Sequence, residues 1–343
     1  MNKRERIENF LASKEVDRVP VAFYHHFLDS RMLFNMNLGL TKSKLFERNI
    51  ESHRKALANF HPDLLKIMND SLMIMPLKMA KVKHASDLKT VLPQGINSRW
   101  QKKSIELAMR VKEIYANSEA PILFTSFGPA YILRSNFARI GNLMMGNSFM
   151  ESKIKRLIAE DEAEFKACVD RISEEVANFN DRLFKEVGID GIYFSVNNQN
   201  DFFPPAQYQR IISPADKYIL ERANKNSSMN VLHICGYMGK PNHLDTFSDY
   251  EAAAYNWAVH AEGVSLTEGK KIFNGKPVFG GFEQNGVIAK GTREEVEAEV
   301  FRILDEAGQV GTMLGADCTV PTNIDDARLS WVQDAAAAYA KTH

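Results

Sequence analysis

Eight short apolar runs, most of them followed by a helical pattern, constrain this chain more than any other feature. They lie at residues 19–24, 64–68, 121–125, 189–196, 229–235, 252–257, 277–282 and 311–315. Each has the length of a buried strand and is bounded by polar or turn-forming residues. Residues 3–13, 42–59, 101–116, 151–187, 206–225, 293–307 and 324–341 instead repeat apolar positions at three- and four-residue steps, as amphipathic helices do, with 151–187 either one helix or a kinked pair. Thr292, with Glu294 and Glu295 just after it, marks one helix start. Strands that alternate with helices must run parallel, because only a long crossover returns the chain to the same sheet edge. Eight such units suit a closed (β/α)8 TIM barrel. No Gly-rich linker or low-complexity tract divides the chain, so residues 1–343 read as one domain. An open, doubly wound sheet would want a G-x-G-x-x-G turn after an early strand, and none stands there.

A barrel gathers its functional residues at the C-terminal ends of its strands. The polar residues at those ends are His25, His26, Asn69, Asp70, Ser126, Asn197, Asn198, His233, Cys235, Glu283, Asp317 and Cys318. Among them, His233-Ile-Cys235 stands out. Side chains alternate along a strand, so His233 and Cys235 point to the same side. An imidazole and a thiolate so placed can grip one Zn²⁺, and Cys318 supplies a second sulfur from another strand end. Cys168 falls on the apolar stripe of 151–187 and reads as core.

Charge narrows the choice of partners. Lys and Arg total 43 and Asp and Glu total 43, so no basic excess points to nucleic acid. Three distant cysteines make no disulfide framework. The N-terminus is charged and lacks an apolar signal core, and no apolar run approaches a membrane span. A cytoplasmic protein with no membrane partner is the expectation.

The chain resembles the uroporphyrinogen decarboxylase superfamily over nearly its whole length. The landmarks are Arg18-Val-Pro-Val21, Asp63-Leu-Leu-Lys-Ile-Met-Asn-Asp70, Val278-Phe-Gly-Gly-Phe-Glu283, and Leu314-Gly315 followed by the terminal helix. The resemblance implies a (β/α)8 barrel and two branches of chemistry. One decarboxylates uroporphyrinogen without a cofactor. The other comprises zinc methyltransferases that move a methyl group from a corrinoid protein to a thiol such as coenzyme M. The decarboxylases carry an arginine-rich loop after the first strand to grip carboxylates. Here that place reads Tyr24-His-His-Phe-Leu-Asp-Ser-Arg31, which offers only a displaced Arg31. Asp70 does match their catalytic aspartate. The methyltransferase branch carries His-x-Cys and a later Cys at strand ends, and His233, Cys235 and Cys318 match them in order and spacing.

The expectation is therefore a zinc-dependent methyltransferase, with His233, Cys235 and Cys318 on the metal and Glu283 as a fourth ligand when substrate is absent. Tyr131, Asn197 and Asp317 are the expected substrate contacts. A small thiol is the acceptor and a corrinoid on a separate carrier protein the donor, since no corrinoid-binding segment is evident here. Decarboxylases of the family are often dimers, which leaves a homodimer open. Two alternatives stand beside this reading: a cofactor-free decarboxylase using Asp70, and a non-catalytic corrinoid- or tetrapyrrole-binding protein.

Overall fold

Seven of the eight apolar runs form one parallel sheet in a computed structural model that describes residues 1–28, 37–140, 143–144, 147–199 and 202–343. The strands are β1 (Leu65–Ile67), β2 (Ile122–Phe127), β3 (Gly191–Val196), β4 (Val231–Ile234), β5 (Ala254–Trp257), β6 (Val278–Phe282) and β7 (Thr312–Ala316). They neighbour one another in chain order, as successive βα units require.

The eighth run, residues 19–24, closes the sheet without becoming a regular strand. Pro20 has no N–H to give a ladder. Only isolated bridges form, Val21 to Leu314 and His25 to Val320. Even so, the segment bonds to both sheet edges. On the β7 side Ala22 N donates to Leu314 O at 3.0 Å, and Leu314 N to Pro20 O at 2.9 Å. On the β1 side Asp63 N donates to Val21 O at 2.9 Å. Gly315 makes the approach sterically feasible: a side chain there would stand 2.6 Å from the Ala22 carbonyl and 2.0 Å from the Phe279 ring.

Asp63 locks this closure. Its carboxylate is fully buried. It accepts from Val21 N (2.8 Å), from Arg6 (2.8 Å) and from both ends of the Arg18 guanidinium (2.7 and 3.0 Å). The Arg18–Val21 and Asp63 landmarks are thus two halves of one ion-pair network under the barrel.

The barrel interior is filled from every strand position. Ala22, Leu64, Leu123, Tyr193, Val231, Ala254, Phe279 and Met313 pack together, one from each of the eight segments. The helix α1 (Lys3–Leu11), capped by Asn2, plugs the N-terminal end with Ile7 and Phe10. The larger core lies between the strands and the outer helices. There Cys168 is buried on the helix Glu162–Arg182, and burial pushes its thiol up to about 12.

Two long helical stretches are broken, the first as the kinked-pair reading of 151–187 allowed, the second where a single helix was expected. The 151–187 stretch divides at Asp161, whose side chain caps the second piece by accepting from Glu164 N. The 206–225 stretch divides around Ile212, just before Pro214 opens the next helix. The helix Pro129–Phe137, which the apolar pattern did not announce, begins at Gly128-Pro129. Among the described residues no helix is long and apolar enough to cross a membrane.

Replacing Asp63 by Ala takes one of two carboxylate partners from the buried Arg6, which keeps Asp17, strips Arg18 of both its carboxylate bonds, and removes one tie of the closing segment. Chemical denaturation should show a loss of about 3–5 kcal/mol. A loss below about 1 kcal/mol would mean that closure does not depend on this network.

Candidate metal centre

The period-two rule carries the interior layer upward to the mouth. Two residues beyond Val231 comes His233, and two beyond that Cys235. The same step from Leu64 reaches Lys66 and Met68, from Leu123 reaches Thr125 and Phe127, and from Tyr193 reaches Ser195 and Asn197. All of these line one cavity of about 230 Å³, together with His26, Tyr131, Cys318 and others. The barrel is therefore apolar at its floor and polar at its top because each strand switches residue type one pleat above the core layer.

The ligating atoms of His233, Cys235 and Cys318 all lie within 4.8 Å of one another. The two sulfurs are 3.9 Å apart. Two thiolates each about 2.3 Å from a tetrahedral ion would sit about 3.8 Å apart, so the spacing fits Zn²⁺.

The imidazole is oriented for the same purpose. The Asn256 amide donates to Phe279 O (2.7 Å) and Ala316 O (3.2 Å), which fixes its oxygen toward His233 Nδ1. Tyr193 donates its hydroxyl to that oxygen at 2.8 Å and stands 3.2 Å from Nδ1. His233 Nδ1 therefore carries the proton and donates it, leaving Nε2 for a metal. The thiol pair shares a proton. Donation from Cys235, with His233 alongside, holds Cys318 well below an ordinary thiol against the opposing effect of burial. The hydrogen bond to Cys318, with burial, raises Cys235.

The other expected residues divide. Tyr131 and Asn197 line the cavity, and Arg134 holds the Asn197 side-chain oxygen at 2.7 Å. Asp317 does not line it: one carboxylate oxygen accepts from His260 N (3.1 Å) and from His260 Nδ1 (3.0 Å). Glu283 belongs neither to the metal-ligand group nor to the cavity wall, and its carbonyl closes a turn with Gly286 N. Asp70 is buried behind the wall with both oxygens engaged. One meets His26 Nδ1 at 2.8 Å, and the other accepts from Phe27 N (2.6 Å) and Leu28 N (3.2 Å). Burial alone would raise its pKa, but His26 and the two amides together bring it below the ordinary value. Arg31 lies outside the described residues.

Two residues gain roles that the sequence reading did not give them. His26 was one strand-end polar group among many, and the structure pairs it with Asp70 on the cavity wall. Lys66 was passed over inside an apolar run. It is 7% exposed, and its ammonium lies over the rings of Tyr24 (4.3 Å) and Tyr193 (4.2 Å). Its signal was available: a lysine two residues from Leu64 must face inward if Leu64 does.

Comparison with known proteins adds the following. The family profile described as Uroporphyrinogen decarboxylase (URO-D) matches residues 2–339. No curated protein matches at the sequence level. Among solved structures, a methyltransferase from Methanosarcina mazei superposes with a TM-score of 0.68 at 14% identity, covering 99% of each chain. A B12-independent methionine synthase from Shewanella sp. W3-18-1, in complex with selenomethionine, gives 0.59 at 12% identity, covering 95% of this chain and 97% of that one. A GH5_18 protein from Streptomyces cattleya in complex with GlcNAc gives 0.53 at 9% identity, over 95% and 81%. At such identities the likeness is one of fold.

Asn256→Leu removes the group that orients His233. In a chelator competition its Zn²⁺ affinity should fall about 10–100-fold against wild type. Unchanged affinity would mean that the imidazole is oriented by something else.

Proposed function

The chain belongs to the uroporphyrinogen decarboxylase family, and on that footing we propose that it is a zinc-dependent methyltransferase, carrying a methyl group from a methylcorrinoid on a separate protein to a small thiol. The observation that carries this reading is the convergence of His233, Cys235 and Cys318 with the His233 tautomer already fixed. Decarboxylation needs no such set. The fold shared with proteins named as a methyltransferase and a methionine synthase supports the same direction.

His233, Cys235 and Cys318 would hold Zn²⁺, which would supply stabilisation of the acceptor's thiolate at neutral pH. The chain's own residues supply the rest. Cys235 and Cys318 would offset the ion's charge, and His233 Nε2 would complete the protein's share of the ligands. Asp70 holds Nδ1 of His26, which leaves Nε2 of His26 to take a proton at the cavity wall. The acceptor's S–H bond breaks toward that nitrogen and the sulfur keeps the electron pair. That pair forms the new S–CH₃ bond, while the electrons of the cobalt–carbon bond stay with the departing corrinoid.

The cavity volume divides the two substrates. About 230 Å³ falls below the usual range of roughly 300–1,000 Å³ for drug-sized ligands, so a small thiol fits inside and a corrin ring presents its methyl from outside. Met68, Phe127 and Val196 give the cavity apolar walls that keep bulk water from the sulfur. The decarboxylase alternative asks for an Asp70 carboxylate facing substrate, and the His26 and amide bonds occupy both of its oxygens.

Protein purified without a chelator or polyhistidine tag should hold about one zinc per chain, as three protein ligands dictate. It should demethylate methylcobalamin in the presence of 2-mercaptoethanol. A Cys235→Ser/Cys318→Ser double variant should lose both the zinc and the activity. Full zinc, or full turnover, in that variant would refute the assignment. His26→Gln should keep its zinc and slow turnover about 10²-fold, the usual share of a proton-transfer group.

A further inference from the structure

A groove of about 1070 Å³ lies outside the barrel mouth and has several times the volume of the main cavity. One wall is the chain from Pro76 to His84. The other is made by the helix Asn147–Glu160 and the end of the helix Pro129–Phe137. Both ends of the first wall are pinned. Asn136 accepts from Leu77 N (3.0 Å) and donates to Met75 O (3.0 Å), and Glu160 accepts from Ala85 N (2.8 Å). The groove is therefore built before anything enters it.

Its charge is one-sided. Lys81, Lys83, His84, Lys153 and Arg156 line it, and no Asp or Glu does. The whole chain carries 43 Lys and Arg against 43 Asp and Glu, so the imbalance is local. Glu160, beside the groove, stands 3.6 Å from both His84 and Arg156 and offsets part of it. Among the described residues the Lys81 and Lys83 side chains make no hydrogen bond and no ion pair, and Lys153 has only the Phe137 ring, 4.3 Å away. Lys153 and Arg156 are one helical turn apart and face the groove together. Burial, and then Arg156, hold the Lys153 ammonium below an ordinary lysine, and an incoming carboxylate would relieve the second effect.

We propose that this groove docks an acidic segment of a partner protein, an amphipathic stretch whose carboxylates meet Lys81, Lys83 and Lys153 while its apolar side chains lie on Met79 and Ala80. The inference stands apart from the methyl-transfer reading and needs neither zinc nor a thiol. The volume exceeds the roughly 300–1,000 Å³ of small-molecule sites, so the occupant is extended. Nucleic acid would want aromatic faces for its bases. The one Phe, Tyr or Trp of the lining is Phe137, which is 1% exposed and covered by Lys153. A membrane would want apolar groups that protrude, and here they are recessed between two walls. An amphipathic segment laid in a groove uses both the charge and the apolar floor. The groove also adjoins the mouth. Met73 and Tyr131 line the main cavity, and Pro76 and Asn136, a few residues further along the same segments, line the groove. A protein seated there stands beside the opening of the metal centre.

The test is fluorescence anisotropy of labelled peptides titrated with the full chain at neutral pH. The probe is an amphipathic peptide of Glu and Leu at helical spacing. The comparison ligands are the same peptide with Lys for Glu, tripolyphosphate, and phosphatidylglycerol vesicles. Wild type should bind the Glu peptide and not the Lys peptide, with an affinity that falls about tenfold or more as salt rises through the range that screens surface charge. The charge-reversed variant Lys81→Glu/Lys83→Glu/Lys153→Glu should exchange this preference and bind the Lys peptide, which loss of folding would not produce. Reversing three exposed lysines elsewhere, Lys225→Glu/Lys290→Glu/Lys341→Glu, should leave Glu-peptide binding unchanged. A wild type that ignores the Glu peptide would overturn the proposal. So would binding that survives reversal in the groove, or that falls equally with reversal elsewhere, since net charge alone would then explain it. Tripolyphosphate or vesicles that bind through Lys81, Lys83 and Lys153 where the Glu peptide does not would overturn it as well, and would assign the groove to phosphate groups.

Discussion

The closure of the sheet through the backbone of residues 20–22 is the constraint on which the rest depends. Cys235 follows β4, and Cys318 follows β7, three strand positions away. In an open sheet with strands about 4.8 Å apart, that separation is roughly 14 Å. The sulfurs stand 3.9 Å apart because the sheet curls until its two edges share one segment and inward side chains converge on the axis. Asp63 pins that segment to the start of β1, and Arg6 and Arg18 make its buried carboxylate tolerable. The network sits at the opposite end of the barrel from the cavity, so a purely structural ion-pair cluster sets a distance at the chemical end.

A second constraint acts along the barrel axis. The floor layer is apolar and close-packed, which gives the strands a rigid base. One pleat higher, Lys66, Thr125, Ser195, His233 and Asn256 replace aliphatic side chains. Buried polar groups must find partners, and here they find one another. Asn256 reaches carbonyls on β6 and at the end of β7, Thr125 donates to Ile67 O, and Tyr193 bridges to Asn256. The cooperative result is an imidazole with one allowed tautomer. Lys66 is the exception in this layer, since its ring contacts direct it without neutralising it.

Much of this was legible in the sequence, and the gaps have physical causes. Seven apolar runs became strands because their lengths and bounding turns left little choice. The run at 19–24 gave an irregular closing segment because Pro20 deprives it of a donor, although it occupies the expected place. His233 and Cys235 could be paired from periodicity alone; Cys318 could not, because it lies in a loop beyond its strand and its approach depends on closure. Glu283 and Asp317 were read as facing the mouth because they follow strand ends. Asp317 turns instead to His260, on the four-residue helix Val259–Glu262 after β5, whose position no local pattern gives. A kinked pair at 151–187 was one of two readings the pattern allowed, and the break falls at Asp161; the break around Ile212 was hidden because the apolar stripe continues across it while the backbone does not.

Asp70 shows how a carboxylate just past a strand end is taken up by its own surroundings. It stands three residues beyond the end of β1, buried behind the cavity wall. The loop after the closing segment supplies its partners: His26 and the amides of Phe27 and Leu28 fold onto the carboxylate, so that both oxygens are engaged and the His26 ring is held at the cavity wall. The fold is fixed by the floor of the barrel, and the character of the cavity by the side chains above it. His233, Cys235 and Cys318 come within 4.8 Å of one another there only because the floor holds their strands in a closed ring.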